Sequence, residues 1–287
     1  MANFSVLNNI GSLDAQNQLN INNVNLNTTL EALSSGKRIN SGADDPAGLE
    51  ISDSLNANIS ALSQSVNNAN NGISVAQMAD GALSEITNLL NSAVTLASEA
   101  ATQTTGQSGQ NALQSEYASI EAEIAQIATS TNFNGQYLFT GALTNGAMSV
   151  FVGDMSNTNS TINIAFSTIT ADATNGTVSN LGGADLSGVD LTTGASGALI
   201  TLQSALQAVD TMRGAIGDGM NQLQAEVNVL QTNVQNTQAA ESTLTDADMA
   251  SEISNLTKEQ ILAQSGMAAL AQANSNSQNV LTLLKNG

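Results

Sequence analysis

Two long heptad repeats restrict the possible folds of this chain more than any other feature of its sequence. Between residues 55 and 101, positions taken alternately four and three apart are apolar except for Asp80 and Thr87. Sustained apolar heptads are typical of long helices that pack in left-handed bundles. The first helix of this kind is predicted to begin at Pro46, because proline suits the first turn of a helix and the Asp45 side chain can cap the free N–H groups there.

The second repeat covers residues 195–241 and is interrupted in its middle by Arg213. A shorter apolar repeat lies between the two long ones, at residues 113–127. These three helices predict a bundle in which the third packs antiparallel to the first. We expect Arg213 to pair with a carboxylate of the bundle, because an unpaired charge at a seam position is costly to bury.

The register of the second repeat breaks at residues 245–248. Thr245 and Asp248 fit a capping box there, which predicts that a new helix starts at Met249. At the other end of the chain, residues 3–33 are also amphipathic but rich in asparagine. Neither end helix has enough apolar partner surface to be stable alone. Each is therefore expected to pack on the other and on copies in neighbouring chains.

The two end helices are predicted to carry an apolar seam where they and neighbouring copies meet. The seam residues are Val6, Ile10, Leu13, Val24, Met249, Ile253, Leu256, Met267, Leu270, Leu281 and Leu284. A second apolar line on the N-terminal helix consists of Leu19, Leu26, Leu30 and Leu33.

The charges of the chain are distributed unevenly. There are 24 acidic and 5 basic side chains, which give a net charge of −19, and the whole excess lies in residues 44–248, where Arg213 is the single base. Both ends are neutral, so they can enter a water-poor interior at a lower cost than the middle. With so few basic residues, the chain is not expected to bind nucleic acid.

The sequence contains no cysteine, histidine or tryptophan. This excludes a thiol nucleophile, a Ser-His pair, a zinc site and a haem ligand. We therefore expect no enzyme activity, no catalytic residue, no cofactor and no metal. The aspartates at 44 and 45, and at 246 and 248, are interpreted as helix caps rather than as calcium or acid–base pairs. No apolar run reaches the ~18 residues of a membrane span, so membrane insertion is not expected.

Most of the few aromatic residues fall in residues 132–166. Residues 132–135 predict a turn, and residues 144–146 carry a hairpin signal. Ile162, Ile164 and Phe166 alternate as in a strand. We predict a small β element packed on the bundle, and loops at residues 167–197, which are rich in Gly, Ser, Thr and Asp.

Residues 34–48 concentrate unusual side chains in a short stretch. Lys37 and Arg38 are two of the five bases of the chain, and Asp44 and Asp45 precede its single proline, Pro46. One interpretation is a non-helical segment that is held in place by polar contacts of these side chains, including contacts with neighbouring subunits. The alternative is a solvated turn followed by a capped helix, with which the aspartates and the proline agree equally well.

Several motifs, in the same order along the chain, resemble those of bacterial flagellins, the subunits of the flagellar filament. The motifs are Ser35–Ser41 (SGKRINS), Ala43–Leu49 (ADDPAGL), Asn132–Gly135 (NFNG), Asn255–Lys258 (NLTK), Gln260–Leu262 (QIL), Leu270–Asn274 (LAQAN) and Gln278–Leu281 (QNVL). The resemblance covers roughly residues 1–140 and 195–287. It implies a short flagellin with little or no outer domain.

The resemblance implies a mainly α fold, a long-helix coiled-coil bundle with a small β-hairpin element, whose terminal helices pair in the filament core. It divides the chain into an N-terminal inner-layer helix (1–33), a connector (34–45), a helical bundle (46–248, with the β and loop element at 132–194) and a C-terminal inner-layer helix (249–287). The implied function is to self-assemble into the bacterial flagellar filament for motility. The implied location is secreted, in the extracellular flagellum.

The implied partners are other copies of the chain, the flagellar export apparatus and its chaperone, and the filament cap and junction proteins. Two other classes of protein share part of this pattern. One is a hook–filament junction protein, which has the same terminal helices. The other is a secreted coiled-coil protein of a related export system; a translocator of that kind should carry a membrane-competent apolar segment, which the sequence lacks.

Overall fold

The structure is a computed structural model that describes residues 9–102, 106–141, 146–153, 160–172 and 174–285. Most of these residues are helical, which confirms the mainly α fold. The helices are α1 (Ile10–Ser35), α2 (Pro46–Ala100), α3 (Gln107–Ser130), α4 (Ala195–Thr245) and α5 (Met249–Lys285). The chain divides into two compact units: a terminal unit, Met1–Ala57 with Thr237–Gly287, and a central unit, Asn58–Asn236.

In the terminal unit, α1 and α5 pack against each other in antiparallel directions. The Asn9 side-chain amide donates to the carbonyl of Ala273 at 3.0 Å, and the Asn22 amide donates to the carbonyl of Glu259 at 2.8 Å. The chain leaves α1 at Gly36, whose φ of 72° is in the left-handed region that glycine adopts without strain. The two end helices therefore pair with each other, as predicted.

The predicted capping box between α4 and α5 is wrong in one respect. Thr245 is the last residue of α4, and its hydroxyl donates back to the carbonyl of Glu241 at 3.0 Å. The residue that caps α5 is Asp248, whose carboxylate accepts from the backbone N–H of Ala250 at 3.0 Å. Because α4 continues through Thr245, the hydroxyl of Thr245 bonds within α4. The cap of α5 is therefore supplied by Asp248.

In the central unit, α2 and α4 run antiparallel, as the heptads predict. Arg213 of α4 pairs with Asp80 of α2, and Leu223 of α4 lies against Gly72 of α2, so residue numbers rise along one helix as they fall along the other. The fully buried core of these helices is aliphatic. It includes Leu83, Ile86 and Leu90 of α2 and Leu202, Val209, Ile216 and Leu223 of α4.

The described part of the central unit also contains three antiparallel strand pairs. Their strands are β1 (Asn132–Phe133) with β2 (Gln136–Tyr137), β3 (Ala147–Phe151) with β4 (Thr161–Ala165), and β5 (Ile169–Asp172) with β6 (Thr177–Leu181). Asn134 and Gly135 have φ of 51° and 80° and form the predicted turn between β1 and β2. The alternation of Ile162, Ile164 and Phe166 is confirmed, since the first two lie in β4 and the third follows it directly.

The prediction that residues 167–197 form only loops is wrong, because β5 and β6 lie there. Ile169, Val178 and Leu181 are fully buried and join the core. Gly, Ser, Thr and Asp separate these few apolar residues, so the alternating apolar pattern of each strand is too short to be recognised in the sequence. The hairpin signal at residues 144–146 falls largely outside the described residues; within them, Gly146 directly precedes β3.

Candidate assembly surface and connector

The face of α1 that contacts α5 follows a heptad pattern, but not the one chosen as the inner seam. Half-buried or buried side chains recur on α1 at Ser12, Ala15, Leu19, Asn22, Leu26, Thr29 and Leu33. Three leucines of the second predicted line, Leu19, Leu26 and Leu33, therefore lie on the side of α5. The fourth, Leu30, is exposed.

On α5, the residues that face α1 are mostly small or polar. They are Glu252, Leu256, Glu259, Ala263, Gly266, Leu270, Ala273 and Ser277. A Cβ atom on Gly266 would lie 3.0 Å from Leu19 Cδ1, so α1 and α5 approach closely at this point. Small residues permit this close approach, and the exposed large apolar side chains of α5, unlike Leu256 and Leu270, lie outside the contact.

This contact between α1 and α5 is a weak core. Ala32 is the single buried apolar side chain in the described parts of α1 and α5, while the polar side chains of Asn22 and Thr29 are buried with it. The Oε2 atom of Glu259 is buried without a hydrogen-bond partner. Burying polar groups stabilises a fold much less than burying apolar ones, so this pairing alone contributes little stability.

The apolar residues left exposed on α1 and α5 form what we call the outer stripe. Val24 is 64% exposed, Ile10 is 62% exposed and Ile253 is 53% exposed. The outer stripe consists of Ile10, Leu13, Ile21 and Val24 on α1, and of Met249, Ile253, Ile261, Leu262 and Met267 on α5. Exposed apolar patches of this extent mark interaction surfaces in soluble proteins.

Most of the predicted inner seam thus lies in the outer stripe. Leu256 and Leu270 are the exceptions, because they are half-buried on the side that faces α1. Val6 lies outside the described residues, and so do the side chains of Leu281 and Leu284. Sequence reasoning missed Ile21, Ile261 and Leu262, because these residues fall between the heptad positions that were followed.

An open groove of about 420 Å³ lies between α1 and α5. Its wall includes Ile21 and Leu262 of the outer stripe, together with Leu19, Asn22, Gly266 and Ala269. The groove is therefore continuous with the exposed apolar surface, so a helix seated on the stripe could insert a side chain there.

The connector between α1 and α2 is fastened to the junction between α4 and α5. Backbone hydrogen bonds join the N–H of Arg38 to the carbonyl of Thr245 at 2.6 Å and the N–H of Ala247 to the carbonyl of Gly36 at 2.9 Å. Lys37 pairs with Asp246 in the same short antiparallel bridge. Two non-helical segments far apart in the sequence therefore satisfy each other's backbone groups.

The two bases of the connector strengthen this junction in different ways. The Arg38 guanidinium donates to the carbonyl of Leu244 at 2.7 Å, so it caps the carbonyl end of α4, where the helix dipole favours positive charge. The Lys37 ammonium lies 4.0 Å from the Glu241 carboxylate, and its side chain is half exposed. Such an exposed pair contributes at most about 1 kcal/mol.

The prediction that all four aspartates cap helices is wrong for Asp44 and Asp246, which accept from residues before them in the chain, and is confirmed for Asp45 and Asp248. Asp44 accepts from the N–H groups of Asn40 and Ser41 at 3.1 and 2.9 Å, and these hydrogen bonds hold the pKa of its carboxyl below the ordinary value. Asp45 accepts from the N–H of Gly48 at 2.9 Å and caps α2, which begins at Pro46. The predicted start of α2 is therefore confirmed.

Among the described residues, no helix is both long enough and apolar enough to cross a bilayer. In the same part of the chain, no group of three or more acidic side chains is arranged to hold a metal ion.

Comparison with known proteins gives matches at both ends and over almost the whole length. Residues 6–144 match the family model described as the bacterial flagellin N-terminal helical region, and residues 199–284 match the bacterial flagellin C-terminal helical region. A 30.7 kDa flagellar filament core protein of Treponema maltophilum is 35% identical, over 96% of this chain and 98% of its own. The flagellin of Bacillus subtilis is 33% identical over the same shares of the two chains.

Proposed function

The chain belongs to the bacterial flagellin family and is a structural subunit of the flagellar filament, and from this premise we propose that α1 and α5 form the innermost layer of that filament. In this layer the outer stripe of one copy is buried against neighbouring copies. The predicted seam residues other than Leu256 and Leu270, including Val6, Leu281 and Leu284, belong to the same interface.

The exposure of the outer stripe carries this proposal. A side chain of the size of leucine or isoleucine contributes about 1.5–3 kcal/mol when it is fully buried. In the single chain, Ile10, Leu13, Val24 and Ile253 stay more than half exposed, so most of this free energy is not realised. Neighbouring copies would supply the missing apolar contact, and polymerisation would complete the core that the pairing of α1 with α5 leaves unfinished.

We further propose that residues 34–45 connect this inner layer to the helical bundle of residues 46–248, which forms the next layer outward. The hydrogen bonds from Arg38 to Leu244 and Thr245 support such a role, because they fasten the connector to the end of α4, next to the junction with α5. Lys37 and Arg38 would then also be placed to contact neighbouring subunits.

The location and the other partners follow from the family. We propose that the subunit acts outside the cell, that it passes through the flagellar export apparatus with a chaperone, and that it contacts the filament cap and junction proteins. A chaperone would cover the outer stripe before assembly. The role of the chain is structural throughout, without catalysis.

The proposal is tested by placing a charge in the outer stripe. Ile253→Asp should raise the critical concentration for polymerisation by at least about a hundredfold, because a carboxylate would be buried at each contact between copies. Polymerisation of the purified protein is measured by sedimentation and by electron microscopy. The matched control is Ile200→Asp in the central unit, where the isoleucine is 69% exposed.

We expect Ile200→Asp to polymerise at nearly the wild-type concentration. Both residues are exposed in the single chain, so neither substitution should change its circular dichroism or its unfolding temperature by much. Equal loss of assembly in the two variants would mean that the stripe is not the distinctive contact, and normal filaments from Ile253→Asp would refute the inner-layer assignment.

A further inference from the structure

Three exposed charges of α1 and α5 take part in no ion pair among the described residues. They are Asp14 and Glu31 on α1 and Lys258 on α5. Elsewhere in the described chain, Lys37 lies beside Glu241 and Arg213 beside Asp80. Lys258 is thus an exposed base of α5 that has no acidic partner among the described residues.

Asp14 and Lys258 both lie within the outer stripe. Asp14 is four residues after Ile10 and seven before Ile21, so it shares their side of α1. Lys258 is three residues before Ile261 and four before Leu262, so it lies between them on the surface of α5. A contact that buries Ile10 and Ile21, or Ile261 and Leu262, would also bury the charge beside them, and an unpaired buried charge is costly.

Within one chain the two charges are too far apart to pair. The hydrogen bond between Asn22 and Glu259 sets the level of α5 relative to α1, which places Lys258 beside residue 23. Asp14 is nine residues from that level, or roughly 14 Å at 1.5 Å per residue. The lysine and aspartate side chains together are shorter than this distance, so each charge is available to another copy.

Glu31 is a poorer partner than Asp14 for a buried contact. Its neighbours one turn away on α1 are Asn27, Thr28 and Ser35, which are polar. Asp14 has Ile10 one turn before it and Ile21 two turns after it, whereas the stripe residue aligned with Glu31 is Val24, two turns before it. A salt bridge gains strength where water is excluded, so the position surrounded by apolar side chains favours the stronger pair.

We propose that, in the filament, Lys258 of one copy forms an ion pair with Asp14 of a neighbouring copy. The proposal rests on the proposed burial of the outer stripe between copies and specifies how the charges within it are compensated. It also gives the contact a fixed register, because the apolar side chains alone would tolerate a slip along the helix axis.

The test is a charge swap. Lys258→Glu and Asp14→Lys should each raise the critical concentration for polymerisation by about tenfold or more, because each creates a like-charge pair at a buried contact. The double variant Lys258→Glu/Asp14→Lys should return to within about threefold of the wild-type value, because opposite charges again meet. Circular dichroism of the single chains, in which both positions are exposed, serves as the folding check.

The matched control is Lys258→Glu/Glu31→Lys, which has the same net charge as the swap. We expect it to polymerise as poorly as Lys258→Glu alone. Equal rescue by the two double variants would show an effect of net charge only, and rescue by neither would show that Asp14 and Lys258 do not meet. Either result, or wild-type behaviour of both single variants, overturns the pair. Failure of the unchanged protein to polymerise would count against the proposed function itself.

Discussion

The terminal and central units solve the problem of burying apolar side chains in opposite ways. The central unit encloses Leu83, Leu90 and Leu202 completely and also buries Phe139 and Phe166, which follow β2 and β4. In the described part of the terminal unit, Ala32 and Ile39 are the buried apolar residues, and large ones such as Ile10 and Ile253 are exposed. The central unit completes its core within the chain, whereas the terminal unit leaves its apolar surface exposed for contacts with other molecules.

The difference reflects which side chains occupy the contact positions of the helices. In α2 and α4 these positions are mostly aliphatic, and the Asp80–Arg213 pair is the charged exception in their middle. In α1 and α5 they include Asn22, Thr29 and Gly266, which hydrogen-bond or allow close approach but bury little apolar area. A unit of this second kind is stable only when a further surface covers it.

The largest expected contrast between the two units is in amide hydrogen exchange. In the free subunit we expect α1 and α5 to exchange at least about a hundredfold faster than the buried parts of α2 and α4, because little free energy opposes their local opening. In the polymer the difference should shrink strongly. Exchange with mass-spectrometric detection measures both states, and equal protection of the end helices in subunit and polymer would contradict the comparison.

The packing of the central unit can be weakened at two glycines that seat the β3–β4 hairpin. A Cβ atom on Gly219 would lie 2.9 Å from Ile164 Cγ1, and one on Gly72 would lie 2.8 Å from Val150 Cγ2. We expect Gly219→Ala to destabilise the central unit by about 1–2 kcal/mol, because overpacking outweighs the better helix propensity of alanine. Urea denaturation of the free subunit measures this.

The control for the glycine variant is Gly214→Ala in the same helix, where the added Cβ atom has no neighbour within 4 Å. That substitution should stabilise the central unit, by up to about 1 kcal/mol, through helix propensity alone. If both variants were stabilised, the close fit between α4 and the hairpin would not constrain the central unit.

The Asp80–Arg213 pair is the polar exception in the core of the central unit. The two side chains are joined at 2.8 Å and each is 35% exposed. We expect Asp80→Leu and Arg213→Leu each to destabilise the unit by about 1 kcal/mol, because each leaves the other charge half-buried and unpaired. The double variant should lose less than the sum of the two, since leucine fits both heptad lines. Additive losses in urea denaturation would show that the pair is not coupled.

The same pair shows what could be predicted from the sequence. Each long heptad repeat has a charged residue in its middle, and the two charges are opposite. Antiparallel packing brings these two positions to the same level, so the partner of Arg213 could have been named once the topology was assumed. Long apolar periods are predictable because they determine one buried face per helix.

The arrangement of α1 and α5 could not be predicted in the same way. Two apolar lines lie on different sides of α1, and in the structure the line of Leu19, Leu26 and Leu33 faces α5. The choice depends on the fit of small residues such as Gly266, which heptad counting does not register. In the central unit, the β5–β6 hairpin was missed although Asn175 and Gly176 form a known hairpin signal.

A polar row on α3 was also missed, because it packs against backbone groups rather than against other side chains. Gln114 accepts from the N–H of Leu191 at 2.7 Å, and the Tyr117 hydroxyl donates to the carbonyl of Leu186 at 3.0 Å. Periodicity in the sequence shows which side of a helix is apolar, but it gives no sign that a returning loop will use polar side chains on that side.

The smallest expected effect concerns Glu121, the third member of this row. It is buried, and its carboxylate accepts from the backbone N–H of Val178 at 2.8 Å. Burial raises the pKa of Glu121 above its ordinary value; the hydrogen bond from Val178 lowers it, and the negative charge of Asp185 raises it further. The folded central unit therefore holds this proton more tightly than the unfolded chain does.

It follows that the contribution of Glu121 to stability is fully present below the unfolded pKa, about 4.3, and is lost as the pH rises through the higher folded pKa. Each unit of difference between the two pKa values corresponds to about 1.4 kcal/mol. Glu121→Gln keeps an acceptor for Val178 but cannot ionise. It should therefore be more stable than the wild type near pH 7, with an advantage that disappears near pH 4.

The matched control is Glu123→Gln, which removes the same charge from the exposed side of α3. Urea denaturation of the free subunits between pH 4 and 7 should show the pH-dependent difference for Glu121→Gln and little change for Glu123→Gln. If Glu121→Gln were less stable than the wild type at pH 7, the ionised carboxylate would be the favoured partner of Val178. The hydrogen bond between Glu121 and Val178 would then stabilise the ionised carboxylate by more than burial destabilises it. We expect the opposite, that burial makes ionisation of Glu121 unfavourable.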